Sequence, residues 1–144
     1  MSDQDLEEIR QSVRQLCSNY SEDYWLELDR SRGYPTDFVK ELTDSGFLTV
    51  LIPEEYGGSG LGVREACAVM EEVCRSGAHA GACHAQMYVM GSVLRHGSDE
   101  QKKYYLPKIA AGELRLQSFG VTEPTTGTDT TSLKTIAKRD GDSY

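Results

Sequence analysis

The chain has 144 residues, enough for one domain with a buried core, and it carries a formal net charge of −8. A negative field of this kind repels nucleic acid and anionic membranes, so neither is expected as a partner. The sequence contains no basic run, no secretory signal and no apolar stretch long enough to span a bilayer, and we expect a cytoplasmic protein.

The four cysteines and three histidines show no pattern typical of a metal or disulfide site. No two cysteines stand in a C-x-x-C pair, and the histidines lack metal-site spacing. Cys67 and Cys74 lie two helical turns apart on one face of a predicted helix, where they are interpreted as small packing residues. The sequence therefore predicts no metal site.

Helical periodicity dominates the sequence up to residue 113. The first helix is predicted from Ser2, a capping residue followed by an acidic first turn, to about Asn19. Thr36 is the predicted cap of a later helix, and Ser98 with Gln101 forms a capping-box pattern. The predicted helices cover residues 3–19, 22–30, 36–45, 63–76 and 80–95, a short segment from 99, and a further segment from Pro107 to 112.

The predicted helix over residues 80–95 is apolar on most of its sides. Such a helix must be buried on most sides, so it is either the central core helix or the wall of an apolar cavity. Trp25, the only tryptophan, is interpreted as a packing anchor rather than a ligand contact, because large aromatic side chains are mostly buried.

Two connecting segments lie between the predicted helices. Residues 47–52 are short, apolar and β-branched, which predicts a buried connector. The glycine-rich stretch 54–62 lacks the Lys-Ser/Thr pair of a phosphate loop, so it is interpreted as a set of tight turns.

A two-residue alternation from residue 114 to 122 predicts a strand, which ends at Glu123 because the following Pro124 lacks the N–H that a ladder needs. Residues 125–129 form a loop of hydroxyl side chains around Gly127, a residue free to take positive φ. Such a loop suits a phosphate or the polar edge of a ring cofactor, and a plain strand and turn is the alternative. A second strand is predicted over 133–138, then a hairpin turn centred on Asp140 and Gly141.

Residues 119–129 (FGVTEPTTGTD) resemble the flavin-contacting signature of the acyl-CoA dehydrogenase family. Residues 51–61 (LIPEEYGGSGL) and 97–109 (GSDEQKKYYLPKI) resemble further stretches of that family, in the same order along the chain. The resemblance implies a mainly α fold, with an N-terminal helix bundle over residues 1–113 and the first strands of a truncated β-domain over 114–144. Because the predicted hairpin has almost no return strand, we also expect the chain to be one piece of a longer protein.

The resemblance implies that FAD is bound by six residues of the signature: Phe119, Gly120, Val121, Thr122, Gly127 and Thr128. The first three are expected along the flavin ring and Thr122 at its polar edge. Thr128 is expected beside the cofactor phosphates and the CoA moiety of the substrate. The helix over residues 80–95 is expected to line the acyl-chain pocket.

The activity implied by the resemblance is oxidation of an acyl-CoA thioester to its enoyl form, within fatty acid metabolism, with hydride transfer to FAD. The implied partners are an acyl-CoA substrate, an electron-transfer acceptor and further copies of the chain in a homo-tetramer. The family's catalytic base belongs to a C-terminal domain, so no catalytic residue is assigned, Glu123 is expected to be structural, and these 144 residues alone are expected to be inactive. A flavin oxidase or monooxygenase of the same fold, or a non-catalytic helical interaction module, are the alternatives.

Overall fold

The computed structural model describes residues 2–118 and 120–144, and helices are the main elements of this part of the chain. Its α-helices are α1 (Asp3–Cys17), α2 (Glu22–Ser31), α3 (Thr36–Asp44), α4 (Val63–Arg75), α5 (Gly81–His96) and α6 (Asp99–Ala110). Short 3₁₀ turns cover Phe47–Thr49, Glu54–Tyr56 and Thr130–Ser132. The mainly helical fold predicted from the sequence is confirmed.

Capping boxes begin two helices, one at the predicted cap Ser2 and one at the predicted box of Ser98 and Gln101. The Ser2 backbone N–H donates to a carboxylate oxygen of Asp5 at 2.8 Å, and the Asp5 N–H donates to the Ser2 hydroxyl at 3.2 Å. Ser98 and Gln101 make the same reciprocal pair at the start of α6, at 2.8 and 3.3 Å. Each box satisfies backbone N–H groups that have no partner inside the helix.

Two predicted helix boundaries are wrong. Pro35, rather than Thr36, is the cap of α3, because its carbonyl closes the first turn by accepting from the Val39 N–H at 3.0 Å. Pro107 does not begin a new helix but lies inside the last turn of α6. Proline has no N–H, so the helix loses one backbone hydrogen bond at Pro107. The helix continues because its last turn places Ile109, which is fully buried, in the core.

The larger hydrophobic core joins α1, α3, α4 and the first half of α5 with the connector at residues 47–50. Its buried members include Val13, Phe38, Leu42, Leu48, Val69, Val73, Cys83 and Met87. The predicted burial of the connector is confirmed, since Leu48 and Ile52 are both fully buried. Burial of this apolar surface is the main force that holds the helices together.

Trp25 is partly buried and packs in a group of aromatic rings that joins α2 to α3. Its ring centroid lies 4.9 Å from that of Phe38, with the planes at 82°. Tyr20 contacts Phe38 edge-on at 5.0 Å, and its hydroxyl donates to Glu41 at 2.6 Å. These edge-to-face contacts stabilise the α2–α3 junction.

A smaller second core contains Ile52, Met90, Leu106 and Ile109, all fully buried. Leu114 and Leu116, which follow α6, pack against it. Since Met87 belongs to the first core and Met90 to the second, α5 is the helix that connects the two.

The prediction that Cys67 and Cys74 pack in the core is wrong. Both lie on the exposed side of α4, whereas Cys17 and Cys83 are buried. Seven-residue spacing places two residues on one face of a helix, but it does not say which face is buried.

Neither predicted strand forms a ladder in the part of the chain that the structure describes. The only β pairing in these residues consists of two isolated bridges, Glu123 with Thr126 and Asp140 with Ser143. A strand needs a neighbouring strand to complete its hydrogen bonds, and the run 114–117 instead lies against helices. The predicted turn near the end is present, but Gly141 and Asp142 are its central pair, one residue later than predicted.

Candidate functional site

Residues 114–117 are held against the helix bundle by side-chain contacts. The Arg115 guanidinium donates to the Gln86 side-chain oxygen of α5 at 2.8 Å and to the Thr43 hydroxyl of α3 at 2.9 Å. The Gln117 amide donates to the Ala82 carbonyl of α5 at 2.7 Å and to the Tyr34 hydroxyl at 2.9 Å. Side-chain hydrogen bonds therefore take the place of the expected strand ladder.

The two-residue alternation predicted for this run is still visible in its contacts. Leu114 and Leu116 face the second core, while Arg115 and Gln117 make the polar contacts to α3 and α5. Side chains that alternate in this way are typical of extended chain. The run is thus fixed on two sides immediately before the signature begins.

Residues 123–126 of the signature form a closed turn. Glu123 and Thr126 bond to each other's backbone at 2.9 and 3.1 Å across Pro124 and Thr125. Thr126 is buried, and its hydroxyl donates to the Ser132 carbonyl at 3.2 Å. The remaining hydroxyls of the loop lie around this fixed turn.

The Glu123 carboxylate closes the loop from the other side. It accepts from the Lys134 N–H at 2.8 Å and the Thr135 N–H at 2.7 Å, and also from the Thr135 hydroxyl. The Thr135 hydroxyl and these N–H groups favour the ionised form, so they lower the pKa of Glu123. These contacts agree with the structural role expected for Glu123.

Asp129 ends the loop by capping the turn that follows. Its carboxylate accepts from the Ser132 hydroxyl at 2.5 Å and from the Thr131 hydroxyl and N–H at 2.5 and 3.2 Å. The Ser132 and Thr131 hydroxyls lower the pKa of Asp129. Both acidic residues of the signature therefore stabilise the loop as anions.

Five of the six predicted cofactor residues lie within the described part of the chain, and Phe119 lies outside it. Gly120, Thr122, Gly127 and Thr128 are exposed, and Val121 is half-buried. A side chain added at Gly120 or Gly127 would meet no atom within 4 Å. Gly127 does not take the positive φ that the sequence suggested. Its lack of a side chain instead leaves open space beside the backbone.

A cleft of about 760 Å³ opens beside Gln117 of the run 114–117. It lies between α2, the α4–α5 connection and the first turns of α5. Its walls are mostly apolar and include Trp25, Leu28, Tyr34, Ala82 and Ala85, with Gln117 at one end. The two interpretations of the 80–95 helix therefore both hold, since one side of α5 is core and another lines a cavity.

Sequence reasoning missed several residues of this region. Leu28 lies in a segment interpreted only as a helix, and Tyr34 lies between two predicted helices. Arg32, also in the cleft wall, is the one described non-glycine residue with positive φ, at 54°. No sequence signal indicated Gln86 or Arg115, because buried polar pairs distant along the chain leave no periodic pattern.

Comparisons with known proteins agree on one family. A family model described as "Acyl-CoA dehydrogenase, N-terminal domain" matches residues 3–113. Acyl-CoA dehydrogenase FadE12 of Mycobacterium tuberculosis is 35% identical over 137 residues, which cover 94% of this chain and 35% of that protein. The mitochondrial isovaleryl-CoA dehydrogenase of Bos taurus is 33% identical over 147 residues, covering 95% of this chain and 33% of that protein.

Solved structures give the same result. A glutaryl-CoA dehydrogenase from Mycobacterium smegmatis in complex with FADH2 superimposes with a TM-score of 0.81 at 29% identity, covering 97% of this chain and 36% of that one. The chain spans about a third of the length of the curated relatives it matches. Among the helices of the described residues, none is long and apolar enough to cross a membrane.

Proposed function

The chain belongs to the acyl-CoA dehydrogenase family, and we propose that it supplies the cofactor loop and one wall of the acyl pocket in an FAD-dependent acyl-CoA dehydrogenase. The observation that carries this proposal is the position of the signature. Its exposed residues Gly120, Thr122, Gly127 and Thr128 come shortly after the run 114–117, which is bonded to α5, and α5 also lines the apolar cleft. A ring cofactor and an acyl chain must lie side by side for this chemistry.

The loop residues have properties that fit FAD. Open space beside Gly120 and Gly127 lets a flat or extended group approach the backbone, and Val121 offers an apolar contact. Thr122 and Thr128 are exposed residues, and a threonine hydroxyl can donate to ring carbonyl or phosphate oxygens. We propose that Thr122 contacts the polar edge of the ring and that Thr128 contacts the phosphates and the CoA moiety.

When bound, FAD supplies the hydride acceptor for an oxidation in which the acyl thioester loses an α-proton to a base and a β-hydride to the cofactor. The described residues bind and orient the reactants. Glu123 is committed to two backbone N–H groups and a hydroxyl, so we propose that it is not the base. On this proposal the 144 residues alone have no dehydrogenase activity.

The partners of the whole protein belong to the same proposal. They are an acyl-CoA thioester, an electron-transfer acceptor for the reduced cofactor, and further copies of the chain in a homo-tetramer. The M. smegmatis relative was solved with FADH2, which supports the choice of cofactor. The cytoplasm is the proposed compartment.

The test is anaerobic titration of the protein, as its gene encodes it and loaded with FAD, with acyl-CoA thioesters of increasing chain length. We expect bleaching of the oxidised flavin absorbance and slow reoxidation in air. Rapid reoxidation with release of peroxide would indicate an oxidase instead, and absence of bleaching with every thioester would contradict the proposal.

A pair of matched variants tests the role of Thr128. Thr128→Val keeps the volume but removes the hydroxyl, and we expect FAD affinity to fall by about tenfold, the effect of one lost charge-assisted hydrogen bond. Thr128→Ser keeps the hydroxyl and should retain affinity within about threefold. Equal affinities in the two variants, measured by fluorescence titration, would remove Thr128 from the phosphate site.

A further inference from the structure

Arg115 is a charged residue whose hydrogen-bond partners are neutral side chains. Among the described residues it has no carboxylate partner, and its two donor groups instead meet the neutral side chains of Gln86 and Thr43. Those side chains are almost fully buried, at 1% and 5% exposed. A guanidinium is planar and holds its donors in a fixed fork, so it can bridge two acceptors on different helices.

The two acceptors are themselves held in place. The Thr43 hydroxyl donates its proton to the Val39 carbonyl at 2.7 Å, so its oxygen can only accept from Arg115. The Gln86 amide points its nitrogen towards the Leu48 carbonyl, at 3.5 Å, which leaves its oxygen facing Arg115. Arg115 therefore meets acceptors whose orientation is already determined by the bundle.

Gln117 provides a second attachment at matching spacing. Arg115 bonds to Gln86 and Gln117 bonds to Ala82, so two residues of the run correspond to four residues of α5. Four helical residues rise about 6 Å and two extended residues advance about 6.6 Å, so the two distances agree. A slip of one residue would turn both side chains away from α5.

We infer that Arg115 and Gln117 form a register clamp, which fixes the position of residues 120–122 relative to α5. The consequence for the cofactor depends on the proposed function, whereas the clamp itself is a property of this chain alone. Arg115 is thus a positioning residue, since it reaches the cofactor-facing residues only through the backbone of the run.

The test compares Arg115→Met, which keeps the length and removes the donors, with Arg115→Lys, which keeps the charge but lacks the planar fork. Arg95→Met is the control, because Arg95 is an exposed arginine on α5, the helix that Arg115 contacts through Gln86. Amide hydrogen exchange is measured by mass spectrometry in the purified chain without cofactor, and FAD affinity is measured in the FAD-binding protein as its gene encodes it.

We expect Arg115→Met to accelerate exchange of residues 114–118 by about tenfold or more while α1 to α4 stay protected. Arg115→Lys should give a smaller acceleration and Arg95→Met none. FAD affinity should fall in the same order.

Acceleration spread evenly over all helices would show that Arg115 only adds general stability, and it would overturn the inference. Unchanged exchange in residues 114–118 would overturn it as well. If the run loosens but FAD affinity does not change, the clamp does not position the cofactor. If the unaltered protein binds no FAD, the proposed function fails, and the clamp is judged by the exchange data alone.

Discussion

Glu72 of α4 has only 1% of its side chain exposed, yet it is a carboxylate that faces α1. It accepts from Arg14 at 3.0 and 3.1 Å and from Arg10 at 3.4 Å. The Arg14 guanidinium lowers the pKa of Glu72 below its ordinary value of 4.5, which outweighs the opposing effect of burial. The ion pairs therefore stabilise the α1–α4 contact most where Glu72 is ionised.

Glu72→Gln removes this charge with little change of shape. We expect the free energy of unfolding at about pH 7 to fall by about 1–3 kcal/mol, because the hydrogen bonds to a charged group weaken. The folded-state pKa is lowered, so the difference from wild type is largest above pH 4.5 and disappears as pH falls through the lowered value. Urea denaturation at several pH values measures both effects.

Glu71 provides the control on the same helix, since its side chain is 50% exposed and pairs with Arg10 and Arg75. Glu71→Gln should cost no more than about 1 kcal/mol, as for other surface pairs. If the two variants lose the same free energy of unfolding, burial does not make the ion pairs of Glu72 stronger than those at the surface.

Glu123 gives a second residue-scale prediction, because it joins the signature to residues 134 and 135. Its lowered pKa means that the contact is complete above pH 4.5 and is released as pH falls through the folded-state value. We expect the amide shifts of Lys134 and Thr135, followed by NMR, to move together in that acidic range.

Glu123→Ala should abolish this pH response, while Glu123→Gln should keep part of the contact, since one acceptor oxygen remains. The exposed Glu113 offers a control, and Glu113→Gln should leave the response as in wild type. A Thr135 shift that titrates normally in Glu123→Ala would show that another group is being observed.

At the scale of elements, the glycine-rich segment between the second core and α4 depends on close packing. A side-chain carbon at Gly58 would lie 2.1 Å from the Ile52 carbonyl oxygen and 2.4 Å from the Ile52 Cβ. Gly58→Ala should therefore cost about 1–3 kcal/mol of unfolding free energy through overpacking.

Gly91→Ala is the matched comparison, because Gly91 lies inside α5 with no atom within 4 Å of an added carbon. Alanine there should stabilise the protein by about 0.5–1 kcal/mol through helix propensity. A neutral Gly58→Ala in the same denaturation experiment would contradict the packing described for this segment.

The helices could be predicted because their signals are local. Apolar spacing, the Ser2 and Ser98 caps and the left-handed Gly46, with φ of 80°, all lie within a few residues of the boundaries they mark. The strands could not, because a ladder requires a partner that the local alternation does not specify. Residues 114–117 show the alternation and yet bond to helices.

At the scale of the molecule, α5 links the main features. It contributes Cys83 and Met87 to the first core, Met90 to the second, and Ala82 and Ala85 to the cleft. The sequence showed an apolar helix but could not divide its sides between core and cavity. The packing of the other elements decides which side of α5 belongs to the core and which to the cleft. Hydrogen bonds from Arg115 to Gln86 and from Gln117 to Ala82 tie residues 114–117 to the same helix.

The position of the signature relative to α5 is therefore the central claim, and the structure of the protein with FAD bound tests it most directly. We expect the flavin ring to lie against residues 120–122, with the Thr128 hydroxyl within hydrogen-bond distance of a cofactor phosphate and Arg115 still bonded to Gln86. A ring bound elsewhere, with Gly120, Thr122, Gly127 and Thr128 still exposed to solvent, would contradict it.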